Sequence, residues 1–194
     1  MVRQRRSETL AVNLPQLQNL IKRDPTSYRE EFLQQLRHYE ASVAIFLLKP
    51  AEEAKEFGEL CMFLCHVAPC FKNEAGKFTE ELMSVLAQHH MTFHPSLRRT
   101  LVQCLILLRN KDMIPVVKLL ELFFQLFRCP DKMLRSMLYS HIVTDIKNSN
   151  AHTKNNQLNK TLQNLMYTMV TDQNEFAAKK SLDVMIELYR KQVW

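Results

Sequence analysis

Lys132-Met-Leu-Arg-Ser-Met-Leu-Tyr-Ser-His-Ile-Val-Thr-Asp-Ile-Lys-Asn148 is the stretch that decides the fold class. Leu134, Leu138, Ile142 and Ile146 recur every fourth residue and Met137 fills the i+3 place, while Met133, Tyr139 and Val143 widen the stripe beyond one face. A helix with so broad an apolar surface needs neighbours on more than one side. Helices before and after it in sequence, packed ridge into groove, meet that need, which is the arrangement of a helical-repeat solenoid rather than of a two-helix hairpin.

The same pattern extends in both directions. Towards the N-terminus, Leu119, Leu122, Phe123, Leu126 and Phe127 follow Pro115, and Leu97, Leu101, Cys104, Leu105 and Leu108 follow Pro95. Earlier still come Phe78 to Leu86, then Phe57 to Ala68, then Tyr28 to Leu47 with an interruption near Glu40 to Ser42. The first helix opens at Asn13-Leu-Pro15. Lys72 to Lys77 reads as a polar connection. Towards the C-terminus, Leu158, Leu162, Leu165, Met166 and Met169 keep helical spacing, and Ala178, Leu182, Met185, Ile186, Tyr189 and Val193 carry the last helix. The expectation is an all-α, armadillo/HEAT-like solenoid of about nine helices, with units starting near residues 95, 130 and 173. Residues 1–12 read as a flexible basic tail and 13–194 as a single α-helical domain. The last helix stays apolar to Trp194, so the chain is expected to be the N-terminal part of a longer architecture.

Composition narrows the function. Two glycines, against roughly 14 at average usage, leave little material for phosphate-cradling loops or nucleotide fingerprints. The five cysteines and the polar opening Met-Val-Arg-Gln-Arg-Arg lead to an expectation of reduced thiols in cytosol or nucleus. The longest apolar runs fall far short of a bilayer span, so no membrane partner is expected. Residues 1–96 hold 11 Lys/Arg against 12 Asp/Glu, whereas residues 97–194 hold 15 against 8, so the +6 of the chain resides in its second half.

Several segments resemble one family. Leu105-Ile-Leu-Leu-Arg-Asn-Lys111, Leu119-Leu-Glu-Leu-Phe-Phe124, Tyr139-Ser-His-Ile-Val-Thr-Asp-Ile-Lys-Asn148, Met166-Tyr-Thr-Met169 and Ser181-Leu-Asp-Val-Met-Ile-Glu-Leu-Tyr-Arg190 are similar to the severe-depolymerization-of-actin (Sda) protein family. Asn13-Leu-Pro-Gln-Leu-Gln-Asn-Leu-Ile-Lys-Arg-Asp-Pro25 resembles its start. The likeness is strongest over 13–36 and 105–190 and weaker from Ala41 to Thr100. It implies a nucleolar and nuclear factor of large ribosomal subunit biogenesis and export. The partners it implies are pre-ribosomal particles, through ribosomal proteins, assembly factors or rRNA. The alternative it carries is a protein-transport or actin-cytoskeleton adaptor that takes peptide segments.

No catalytic order of residues stands out, so no enzyme, no small-molecule substrate and no cofactor are expected. Cys61, Cys65, Cys70 and His66 lack the tight knuckles of structural zinc, and Cys61 and Cys65 sit one helical turn apart on an apolar stripe. Asp145 lies where the helix dipole disfavours an acid. The expected reason is hydrogen bonding to backbone N–H groups of a neighbouring turn, with Asp183 acting similarly within its own helix. Most basic side chains on such a fold are solvated surface. If the helices stack, however, Arg109/Lys111, Lys147/Lys154 and Lys179/Lys180 line one edge that takes rRNA phosphates, with Lys132 and Arg135 as further candidates.

Overall fold

The computed structural model describes residues 13–151 and 154–193; the tail expected at 1–12 lies outside the described residues, as does Trp194. Among those described there are nine α-helices and no strand: α1 (Leu14–Arg23), α2 (Arg29–Phe46), α3 (Lys55–Val67), α4 (Lys72–His89), α5 (Pro95–Arg109), α6 (Val116–Leu126), α7 (Lys132–Ser149), α8 (Asn156–Val170) and α9 (Glu175–Arg190). A 3-10 turn at Ala68–Cys70 separates α3 from α4.

Local chemistry sets most of these boundaries. Asn13, Asp131, Asn155 and Asn174 cap α1, α7, α8 and α9, each side-chain oxygen accepting from a backbone N–H in the first turn at 3.0–3.2 Å. Two helices are followed by a left-handed residue that is not glycine. Asp112 (φ 55°) and Gln192 (φ 54°) adopt the left-handed conformation after α5 and α9, and Met113 N–H and Val193 N–H reach back five residues to the carbonyls of Leu108 and Leu188.

The helices form two layers. Odd-numbered helices make one, with α1 against α3, α3 against α5 and α7 against α9; even-numbered helices make the other, and α2, α4, α6 and α8 each pack on the helix that follows. This is a stack of helical repeats, and one continuous core runs through it from Leu17 to Val193. Its N-terminal half is aromatic, with Phe32 on Phe71 at 4.2 Å, Tyr39 edge-on to Phe78 at 4.8 Å and Phe46 on Phe57 at 4.9 Å. Cys61, Cys65 and Cys104 are buried in the same core, and burial pushes the thiols of Cys61 and Cys65 well up. Gly58 lets α3 lie close to α5, since a Cβ there would stand 3.3 Å from Leu97 Cδ1 and from Thr100 Cγ2.

Two readings of the sequence need correcting. Lys72–Lys77 is not a connection but the opening of α4: Phe71 is buried just before it, so Ala75 and Phe78 alone suffice to seat the polar first turns. Also, α2 runs unbroken through Glu40–Ser42, because Tyr39 and Val43 are buried on either side of the polar residues.

On α9, two apolar stripes lie roughly 150° apart at the ~100° per residue of an α-helix. Ala177, Val184 and Leu188 are buried against the stack. Leu182, Ile186 and Tyr189 are 45%, 40% and 77% exposed.

Candidate partner-binding edge

Ion pairs bridge successive helices within each layer. In the even layer Arg29 of α2 meets Glu74 of α4 at 2.9 Å, Lys77 meets Glu40 at 3.7 Å, and Lys118 of α6 meets Glu80 of α4 at 3.3 Å. Beyond α6, Arg128 holds Asp172 at 2.6 Å, and that hydrogen bond is the main cause of a lowered carboxyl pKa at Asp172.

In the odd layer the joint between α5 and α7 is ionic at both ends. Asp131 caps α7 through Oδ1 and accepts from Arg99 at 3.2 Å through Oδ2. Near the other end, Arg109 Nε donates to both oxygens of Asp145 at 3.1 and 2.9 Å, while its Nη1 reaches the Ile114 carbonyl at 3.4 Å. Asp145 is therefore met by a guanidinium and not, as the sequence suggested, by backbone N–H groups of a turn. The turn between α5 and α6 is still tied in, but through Arg109. Asp183 pairs within its own helix, with Lys180 at 2.8 Å.

These pairings give the helices a direction. Arg99–Asp131 joins N-terminal ends and Arg109–Asp145 joins C-terminal ends, so α5 and α7 are parallel. Arg135 over Phe176 at 4.8 Å and Lys180 over Tyr139 at 5.4 Å extend the parallel order to α9. At the other end of the stack α3 packs on both α1 and α5, and His66 near its C-terminal end has a pKa lowered first by burial and then by the nearby charges of Lys22, at the end of α1, and Lys111, just after α5.

The candidate residues consequently divide between two edges. Lys111, Lys147 and Lys154 are exposed on the edge formed by the C-terminal ends of the odd helices. Lys22 joins them there, with Arg190 and Lys191 at the end of α9; sequence reasoning passed over all three, although their position in a last helical turn was visible. Lys132, Arg135, Lys179 and Lys180 lie in the opening turns of α7 and α9, on the opposite edge. The single edge expected from the sequence does not exist. Arg109 also leaves it, since its side chain is 15% exposed and committed to Asp145. Arg135 is half-buried and donates to the Cys129 carbonyl at 2.6 Å.

Another arginine, Arg98, is 5% exposed, donates through Nη2 to the Phe93 carbonyl at 2.7 Å and leaves Nε without a partner. Among the described residues no three His, Cys, Asp or Glu side chains converge as a metal site would require, and no helix is long and apolar enough to cross a membrane. The open rim of lysines is what the C-terminal edge offers: point charges on flexible stems, suited to phosphates rather than to acid–base chemistry.

A family model described as "SDA1, HEAT repeat" matches residues 63–194. The chain belongs to the SDA1 family. That match begins inside the stretch where the resemblance read from sequence was weaker. SDA1 relatives extend it to nearly the whole chain: "Protein SDA1 homolog" of Xenopus tropicalis is 59% identical over 98% of this chain and 28% of its own length. The Nematostella vectensis homolog is 55% identical over 100% of the chain and 29% of its own length, and that of Dictyostelium discoideum 50% over 96% and 25%. This SDA1-family chain therefore spans little more than a quarter of the curated relatives it matches.

Proposed function

We propose that this chain is a non-catalytic helical-repeat scaffold in large ribosomal subunit biogenesis and the nuclear export of pre-ribosomal particles, working in the nucleolus and nucleus. Family membership supports the process. The observation that carries the mode of contact is the C-terminal edge, where Lys22, Lys111, Lys147 and Lys154 gather at the ends of parallel helices. Some of that charge simply answers the negative ends of the helix dipoles. Exposed lysines over several repeats also suit the phosphates of an RNA strand or helix, bound without reading sequence.

The test is binding to large-subunit rRNA fragments across a salt series. Each lysine that displaces counterions from a single strand contributes about 0.7 to the slope of log K against log salt. Lys111→Glu, Lys147→Glu and Lys154→Glu together should flatten that slope by about 2 and release the chain from pre-ribosomal particles in gradients. An unchanged slope, or a chain that sediments free of the particles at low salt before any substitution, would overturn the reading.

A further inference from the structure

The outer stripe of α9 occupies places that its predecessors keep closed. Residues 8, 12 and 15 places past the N-cap are Val102, Ile106 and Arg109 in α5, Tyr139, Val143 and Ile146 in α7, and Leu182, Ile186 and Tyr189 in α9. All six in α5 and α7 are buried or half-buried. Lys180 of α9 lies over the Tyr139 ring at 5.4 Å, and Arg109 reaches across to Asp145 of α7. The three in α9 are exposed.

The charges repeat in the same register. Arg99, five places past the cap of α5, meets Asp131, the N-cap of α7, at 3.2 Å. Lys179 stands five places past the cap of α9, exposed, and among the described residues no acid pairs with it. The other charges of α9 have their reasons within the helix. Lys180 holds Asp183 and Lys191 holds Glu187, while Glu175 and Arg190 sit at the ends whose dipoles favour their signs.

We infer that this stripe seats one more helix of the odd layer, parallel to α9 and supplied by the segment that follows residue 194 in the full-length SDA1 protein. Its N-cap is an acid that meets Lys179, as Asp131 meets Arg99. Over Leu182, which replaces the tyrosine that α7 sets under a lysine, it lays an apolar side chain. Size and length select this occupant. Three apolar side chains on one helix fall far short of the ~20 residues a side that hold separate proteins together. A helix joined by a turn meets the same face at the high effective concentration of a linked segment. The chain covers only 25–29% of the SDA1 relatives, which leaves them ample length for a further repeat.

The seat is a helix face and not the lysine edge, so its test does not turn on RNA binding. Ile186→Cys is labelled with a maleimide in the 194-residue chain and in the whole protein read from its gene, with peptide-resolved mass spectrometry as readout. Labelling should be about tenfold or more slower in the whole protein, whereas Thr144→Cys, exposed on α7, should label alike in both. Adding Lys179→Glu and Tyr189→Ser should restore fast labelling of Ile186→Cys in the whole protein and change nothing in the 194-residue chain, where both side chains face water. Lys179→Arg should leave the slow labelling intact, because it copies Arg99. Equal labelling of Ile186→Cys in the two proteins, an equal slowing at Thr144→Cys, or slow labelling indifferent to the paired substitutions overturns the inference. So does a reading frame that closes at Trp194, or a dimer of the 194-residue chain that Tyr189→Ser dissolves, since a second copy would then be the occupant.

Discussion

Removing Arg109 should expose how much of the α5–α7 joint depends on one guanidinium. The Arg109 and Asp145 side chains are 15% and 9% exposed, so neither charge is screened as a surface pair would be. Truncation of one partner of such a pair costs about 3–5 kcal/mol, because the other charge stays buried without compensation. Asp145 sits close to the end of α7, where water enters a truncated site, so Arg109→Ala belongs at the lower end, about 3 kcal/mol. For a chain of this size that is a fall in Tm of about 6–12 °C. The mirror change should cost less. In Asp145→Ala the guanidinium keeps Asp112 and the Ile114 carbonyl and has a route to solvent, so about 1–2 kcal/mol is expected. The double variant Arg109→Met with Asp145→Leu should fall within about 1 kcal/mol of the parent, since both charges are gone and the volume is kept. Urea unfolding followed by far-ultraviolet circular dichroism measures all three. An Arg109→Ala cost below about 1 kcal/mol, or a double variant as damaged as that single one, would refute the claim that the penalty is a stranded carboxylate.

Other changes probe other joints. Gly58→Val should destabilise by about 1–3 kcal/mol, because even a Cβ stands 3.3 Å from Leu97 and Thr100 and the extra methyls force α3 from α5; differential scanning calorimetry reads it. His66 and His141 have lowered pKa values, burial being the first cause in both. The unfolded chain therefore binds more protons, and their contribution to stability is full above the unfolded value of about 6.5 and is lost as pH falls below it. Urea midpoints should drop across that window, and the drop should shrink in His141→Phe. The buried Asn159 exchanges two 2.9 Å hydrogen bonds with Asn150, so Asn159→Asp, which sets a carboxylate against a carbonyl oxygen, should cost about 1–3 kcal/mol by chemical denaturation.

The sequence carried the fold well because periodicity is local. The apolar residues at every fourth place in α7, and the same interval in α5 and α8, needed only a 3.6-residue repeat to be read as helices. The two-sidedness of α7 was legible too, and α5 and α9 do flank it. What depended on direction was lost. Lys179 and Lys180 looked like neighbours of Lys111 and Lys147 because all four sit near helix ends; once the odd helices are parallel, a helix start and a helix end belong to opposite edges. Arg109 was unreadable for a related reason. Its partner lies 36 residues away on a helix two further along, and no local pattern distinguishes an arginine aimed inward at a carboxylate from one aimed at solvent. Lys72–Lys77 misled because a helix that begins beside a buried Phe71 needs very few apolar residues of its own.

The second, uncovered stripe of α9 bears on time as well as space. In a stack whose units hold only their neighbours, the lifetime of each helix follows how much of its apolar surface is covered. Helix α3 is gripped by α1, α2 and α5, whereas α9 rests on α6, α7 and α8 and faces water with Leu182, Ile186 and Tyr189. Amide hydrogens of α9 should therefore exchange well before those of α3. Anything that settles on Leu182, Ile186 and Tyr189 would slow exchange in α9 first and leave the clock of α3 unchanged.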